Sequence, residues 1–153
     1  MLPVTLPPPS PSLLTDLLGM WILQSREDYD AQGHRHIDPA LGPHPLGVVT
    51  FAPGRFAAQF MNPDRSSVPA GPRVASNNST AVNGYDGYFG TYTVDLAAGT
   101  IATRLDGGVS AANIGQVFTR IVRVVGDQLF LQLPTTAADG TAITRTLVFN
   151  RAT

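Results

Sequence analysis

Apolar and polar residues alternate with period two along most of this chain, and turn residues break the pattern at short intervals. Trp21, Leu23 and Ser25 alternate with Ile22, Gln24 and Arg26, the pattern of a strand with one buried face. Residues 48–51 and 56–61 flank Ala52-Pro-Gly-Arg55, and residues 88–95 and 101–106 flank Leu96-Ala-Ala-Gly-Thr100. Residues 115–125 and 128–134 flank Gly126-Asp127. Each arrangement is a hairpin signature. A final strand is expected at 141–151, after Ala138-Asp-Gly140. The 15 glycines and 13 prolines among 153 residues punctuate the chain too often for a helical bundle.

Consecutive hairpins make an antiparallel meander. Its free edges are most simply hidden by closure, so about eight strands in series point to a barrel. The expected fold is all-β: a closed antiparallel up-and-down β-barrel of about eight to ten strands, plugged by a short N-terminal helix. A two-sheet sandwich is the alternative that the pattern allows. Residues 1–11 hold Pro3, Pro7, Pro8, Pro9 and Pro11 and read as a loose, extended lead-in. Residues 12–153 then form one domain. Residues 12–18 supply the helix, with Ser12 as N-cap and Gly19 ending it. Residues 34–47 read as loop or weak edge structure. Residues 62–80 read as a long loop, with a short helix expected around 80–85.

Composition closes several chemistries. All ten basic residues are Arg, and there is no Cys. A Schiff-base lysine, a thiol nucleophile, a disulfide scaffold and a Cys-ligated metal are therefore excluded. The net charge of −1 lacks the basic footprint of a nucleic-acid binder. No stretch approaches the roughly 20 apolar residues of a membrane span, and the proline-broken start lacks the basic region of a secretory signal. A cytoplasmic protein without nucleic-acid or membrane partners is the expectation. No G-x-S-x-G, phosphate-binding loop or H-E-x-x-H occurs, so no cofactor is assigned.

Several segments carry a resemblance. Gly19-Met-Trp21 is a G-x-W at the entry to the first strand. Leu18-Gly-Met-Trp-Ile-Leu-Gln-Ser25, Pro45-Leu-Gly-Val-Val-Thr-Phe51, Arg55-Phe-Ala-Ala-Gln-Phe-Met-Asn-Pro-Asp-Arg65, Tyr88-Phe-Gly-Thr-Tyr-Thr-Val-Asp95 and Gly126-Asp-Gln-Leu-Phe-Leu131 follow in order. This set resembles the small bacterial and fungal lipocalin-like domain family, from about residue 14 to 151. Family members often carry His in the strand that here reads Ile101-Ala-Thr-Arg-Leu105, so no role of that His transfers. The resemblance implies a calyx-like barrel with an internal small-molecule cavity. It also implies ligand binding, with isomerase or cyclase roles suspected for members placed among secondary-metabolite genes. In lipocalins the Trp closes the barrel floor under an Arg from a late strand. Arg120, Arg145 and Arg151 are the candidates for that Arg here.

Inside a barrel, alternate residues face the interior. Parity then places Trp21, Leu23, Ser25 and Glu27 on one inner face, and Tyr88, Gly90, Tyr92 and Val94 on another. Ile101, Thr103 and Leu105, then Phe118, Arg120, Val122 and Val124, then Leu129, Leu131 and Leu133 complete the set. Arg120, if not part of the floor, is a cavity anchor that needs a partner, either Glu27 or an acid on a ligand. Phe51 and Phe60 are assigned to the lining, Phe60 in preference to Gln59. Asn113 and Gln116 are assigned to the mouth. His34, His36 and Asp38 have the i, i+2, i+4 spacing of ligands on a strand. Their Gly and Pro flanks favour a fraying hairpin end, and no metal is assigned.

What remains for catalysis is shape, desolvation and hydrogen-bond acid–base chemistry. The leading expectation is an apolar or aromatic small molecule that undergoes a cofactor-free isomerisation or cyclisation. Arg120 and Tyr92 would polarise a carbonyl, and Glu27 or His44 would move the proton. Ser25, Phe51, Phe60, Tyr88, Thr103, Asn113, Gln116, Phe118 and Leu131 would contact the ligand. The alternatives are a binding or carrier protein using the same cavity, and a solidly packed structural barrel. A homodimer is compatible with each.

Overall fold

A computed structural model describes residues 4–67 and 81–153. Nine strands follow a four-residue helix, α1 (Leu13–Asp16): β1 (Gly19–Asp30), β2 (Arg35–His36), β3 (Leu46–Ala52), β4 (Arg55–Met61), β5 (Tyr85–Asp95), β6 (Thr100–Gly108), β7 (Val117–Val125), β8 (Gln128–Thr136) and β9 (Ala142–Arg151). Each strand from β3 to β9 pairs antiparallel with the next, and β1 pairs with both β3 and β9. The result is a closed eight-stranded antiparallel barrel, with β2 as a short flap on β1. The helix expected around 80–85 is absent from its described part. Val82 and Tyr85 form an isolated bridge there, and β5 begins at Tyr85. Residues 68–80 lie outside the described residues.

The hairpins follow the turn residues. Gly54, Gly99, Gly126 and Gly140 all have positive φ, a conformation that costs glycine little. Gly90 stands at the irregular step between β5 and β6, where a Cβ would run into the Arg104 carbonyl. The lead-in is held to the barrel rather than loose. Arg123 Nε donates to the Pro7 carbonyl at 2.5 Å, and Gln132 Nε2 donates to the Val4 carbonyl at 2.9 Å. The Ser12 hydroxyl donates to the Asp16 carboxylate at 2.6 Å instead of capping a backbone N–H.

One end of the barrel is plugged. Leu13, Leu17 and Trp21 are fully buried. The Trp21 indole N–H donates to the Leu17 carbonyl at 2.9 Å, tying helix to strand. The Arg151 guanidinium lies 4.1 Å from the Trp21 ring centroid and donates to the carbonyls of Asp16 and Leu18. Arg151 is therefore the floor arginine, and Arg120 and Arg145 are released for other work.

The inner face of β1 changes register partway. The β1–β9 ladder slips by one residue between Leu23 and Ser25, a β-bulge. Before it, Trp21 and Leu23 are buried; after it, Arg26, Asp28 and Asp30 are. A one-residue slip exchanges the two faces of a strand. This overturns the assignment of Ser25 and Glu27 to the interior face of Trp21. Glu27 is half-exposed, accepts from the Tyr29 hydroxyl at 2.6 Å and lies near Arg35. Asp28 and Arg145 sit directly opposite each other across the closing seam. Arg145 Nε and Nη2 donate to the two carboxylate oxygens at 2.9 and 3.0 Å, with both side chains buried.

Breaking such a pair leaves a buried charge without its counterion, which costs about 3–5 kcal/mol, whereas replacing both partners by apolar groups is often close to neutral. Arg145→Met is expected to lower the urea-unfolding free energy by that amount. The double variant Asp28→Leu/Arg145→Met should recover most of it. A double variant as unstable as the single one would show that the seam does not depend on this pair.

Candidate ligand cavity

Above the plugged floor the barrel encloses a cavity of about 420 Å³ of space between atoms, counted out to its open side. It is lined by Val49, Phe51, Phe56, Ala58, Phe60, Tyr88, Ile101, Thr103, Arg120, Leu131, Leu147 and Phe149. Every member comes from the inward parity of its strand. Val49 and Phe51 alternate on β3, and Phe56, Ala58 and Phe60 on β4. Space on the β3 side is kept by Gly47, where a Cβ would press on the Phe60 ring. Phe56 and Phe60 each pack against Tyr88, with ring centroids 6.0 and 6.3 Å apart.

The polar groups of the lining are Tyr88, Thr103 and Arg120. Arg120 is 8% exposed. Its Nη1 donates to the Thr103 hydroxyl at 3.4 Å, and that hydroxyl donates to the Phe118 carbonyl at 3.3 Å. The guanidinium also stands 5.8 Å from the Phe118 ring centroid. Burial pushes its pKa below the ordinary arginine value, Tyr88 pushes it back up, and Arg145 lowers it further. A guanidinium keeps its charge regardless. The β7–β8 ladder ends at Ile121↔Gln132, one residue short of Arg120, while β8 continues alongside β9 to Thr136↔Ala142. Pro134, which has no N–H, follows Gln132 on β8 just past the end of the β7–β8 ladder.

Beyond Arg120 lies an ionic layer that the alternation of the sequence does not show. The Arg26 Nη2 donates to Asp38 at 3.2 Å, and Asp38 accepts from the backbone N–H groups of Ala40 and Leu41. The loop between β2 and β3 is thereby fastened over this end, with Ala40 and Leu41 buried. Burial is the first cause that lowers the Arg26 pKa, and repulsion from Arg145 adds to it. Asp86 is buried on β5, two residues before Tyr88. Burial pushes its carboxyl up to about 7, against the attraction of Arg26. Outside this layer, Asp30 accepts from His36 at 2.9 Å, which holds its pKa down at about 2 and raises that of His36.

Six residues read from the sequence as site candidates meet in the cavity wall: Phe51, Phe60, Tyr88, Thr103, Arg120 and Leu131. Phe118 supports Arg120 from beside it. Tyr92 is buried, but its hydroxyl donates to the Ala52 carbonyl at 2.8 Å and its ring packs edge-on against Phe51. Ser25, at the bulge, and Glu27, half-exposed, are not part of the lining. His44 and Gln116 are exposed, and Asn113 belongs to a short 3₁₀ turn outside the cavity. The His34, His36 and Asp38 set is divided: the histidines turn to Asp30, and Asp38 turns to Arg26. Sequence reasoning missed Val49, Ala58, Leu147, Phe149 and the whole ionic layer. Ala58 shares the parity of Phe60, so that signal was available.

Asp86 has a measurable consequence. An exposed aspartate releases its proton near pH ~3.9, whereas this one keeps it to about 7. The folded state thus binds more protons across that window, and stability falls as pH rises through it. Asp86→Asn removes the penalty. The variant is expected to exceed the wild type by roughly 1–3 kcal/mol at pH 8 and to match it near pH 4. Urea-unfolding free energies across this range decide the point, and a difference independent of pH would contradict it.

A model of the lipocalin-like domain family matches residues 18–152. No curated protein matches the chain. Among solved structures, the crystal structure of Rv2717c from M. tuberculosis aligns at 20% identity with a TM-score of 0.40, covering 94% of this chain and 99% of that one. That superposition is too loose to bear on the cavity. The match to the family model spans the barrel from the entry of β1 to the end of β9, the same strands that close around the cavity, and the chain belongs to the lipocalin-like domain family.

Proposed function

We propose that the barrel binds a small molecule with an apolar body and one polar end. The observation that carries this reading is the composition of the cavity wall: hydrocarbon and aromatic side chains throughout, except where Tyr88, Thr103 and Arg120 converge. Burying apolar ligand surface supplies the affinity. The polar group fixes orientation, because a ligand inserted the wrong way round would leave a buried guanidinium facing hydrocarbon.

The test uses a neutral ligand, 2-acetylnaphthalene, followed by calorimetry. Saturable binding at one site per chain is expected. Ala58→Leu, which adds a side chain to the wall, should weaken binding at least ~10-fold, a loss of roughly 1.4 kcal/mol, with little change in the unfolding midpoint. Binding that survives Ala58→Leu unchanged would place the ligand elsewhere.

A second reading, cofactor-free isomerisation or cyclisation, is supported by Asp86. A carboxyl that titrates near neutrality, on the strand face that carries Tyr88 but outside the cavity lining, is suited to exchanging a proton with the cavity by way of Tyr88 or water. In this reading Arg120 polarises a carbonyl and Asp86 takes the role first assigned to Glu27 or His44. Deuterium exchange into the methyl group of bound 2-acetylnaphthalene, faster than in buffer and slowed by Asp86→Asn, would support turnover. Exchange at the buffer rate would leave binding as the function.

A further inference from the structure

The cavity has two unlike sides. On β3, β4 and β5 it is aromatic, lined by Phe51, Phe56, Phe60 and Tyr88. On β6, β8 and β9 it is branched and aliphatic, lined by Ile101, Leu131 and Leu147. The buried Phe149 stands toward the floor, beside Leu23 across the β1–β9 ladder. The aromatic side is not a continuous layer of rings, because its register leaves a recess. Phe51 stands opposite Phe56, Val49 opposite Ala58, and Gly47 opposite Phe60. A row of two rings is followed by a row of two small side chains, then by a ring beside a glycine. The Phe51 and Phe56 rings stack at 6.4 Å with an interplanar angle of 30°. The Phe60 ring lies over Gly47, where an added Cβ would come within 2.7 Å of it. Tyr88 follows Ala58 across the β4–β5 ladder. Its ring centroid is 6.0 Å from that of Phe56 and 6.3 Å from that of Phe60. Ala58 is thus the base of a slot, with a Phe two residues away on each side and Tyr88 beside it. Leu131 on β8 faces this slot from the opposite side of the closed barrel.

From this geometry we infer that the occupant is a planar aromatic ring system, seated on Ala58 between Phe56 and Phe60 with Tyr88 at its edge, rather than an alkyl chain or an alicyclic skeleton. The inference rests on the small-molecule reading above and narrows it to one class. Aromatic rings attract one another edge-to-face or offset, with centroids ~4.5–7 Å apart, beyond what buried area supplies. A ring in the slot meets three such partners at once. A saturated ring of the same skeleton gains only from burial. The aliphatic side serves any apolar surface equally, so the discrimination comes from β4 and β5.

The experiment compares 2-acetylnaphthalene with its ring-saturated counterpart, 2-acetyldecalin, which keeps the carbon skeleton and the ketone and lacks the π-system. Burial alone ranks the saturated compound at least level, since it presents no less apolar surface. Calorimetric titration of the wild type is expected to show the naphthalene binding at least ~10-fold more tightly. Phe56→Leu and Phe60→Leu keep the wall apolar, and each should lower that preference at least ~2-fold. Equal wild-type affinities, or tighter binding of the decalin, would overturn the aromatic assignment and leave the small-molecule reading standing. Failure of the wild type to bind either compound would overturn both. A preference unchanged in either folded variant would overturn the slot between the two rings. One measurement needs no variant. The ring current of a bound naphthalene should shift the Ala58 methyl signal in the ¹H–¹³C NMR spectrum of the wild type, and saturating decalin should leave it close to its starting position. An Ala58 methyl signal that does not move when the naphthalene is bound would overturn the placement.

Discussion

The structure depends on how β1 closes against β9. Closure removes the free edges of the meander. It does so across a ladder that slips one residue between Leu23 and Ser25. The slip divides the interior into two chemistries. On the floor side β1 contributes Trp21 and Leu23, which pack with Phe149 and Leu129 in an apolar core. On the far side it contributes Arg26 and Asp28, and the Asp28–Arg145 pair locks the register that puts them there. A buried ion pair is a weak source of stability but a strong penalty on misalignment. A further slip of the seam would part the two charges and leave one of them buried alone.

The cavity exists because neither half fills the middle. Trp21 and Arg151 complete the floor without reaching into it. The ionic layer is drawn together by Asp38 and the loop that it fastens. Between them the wall is made by strands β3 to β9, whose side chains that line the cavity are Phe, Leu, Ile, Val and Ala apart from Tyr88, Thr103 and Arg120. Because Arg151 performs the structural stacking on Trp21, Arg120 is left to the cavity. The division of labour between two arginines leaves a cavity above the sealed floor.

Period-two alternation was enough to reveal the barrel, its hairpins and the inward residues of β6, β7 and β8. Ile101, Thr103, Arg120, Leu131 and Phe60 all lie where parity placed them. The reading failed at Glu27 for a definite reason. A bulge in the middle of Trp-Ile-Leu-Gln-Ser-Arg has no glycine or proline to announce it, yet it reverses every assignment beyond it. Tyr92 failed differently: its face was right, but its hydroxyl is committed to the Ala52 carbonyl at the hairpin turn. The partnership of Arg26 with Asp38 joins a strand to a loop, and the near-neutral Asp86 arises from burial. Neither has a local signature in the sequence.

Arg120 stands in the cavity wall, while Arg26, Arg145 and Arg151 hold the loop, the seam and the floor. A lysine-free chain with ten arginines makes this directly observable. The arginine Nε–H signals can be assigned by two-dimensional ¹⁵N NMR and followed while 2-acetylnaphthalene is added. The account predicts that the Arg120 signal moves most and saturates with binding, while those of Arg26, Arg145 and Arg151 stay near their starting positions. Shifts confined to exposed arginines such as Arg55 and Arg104, with Arg120 unmoved, would contradict it.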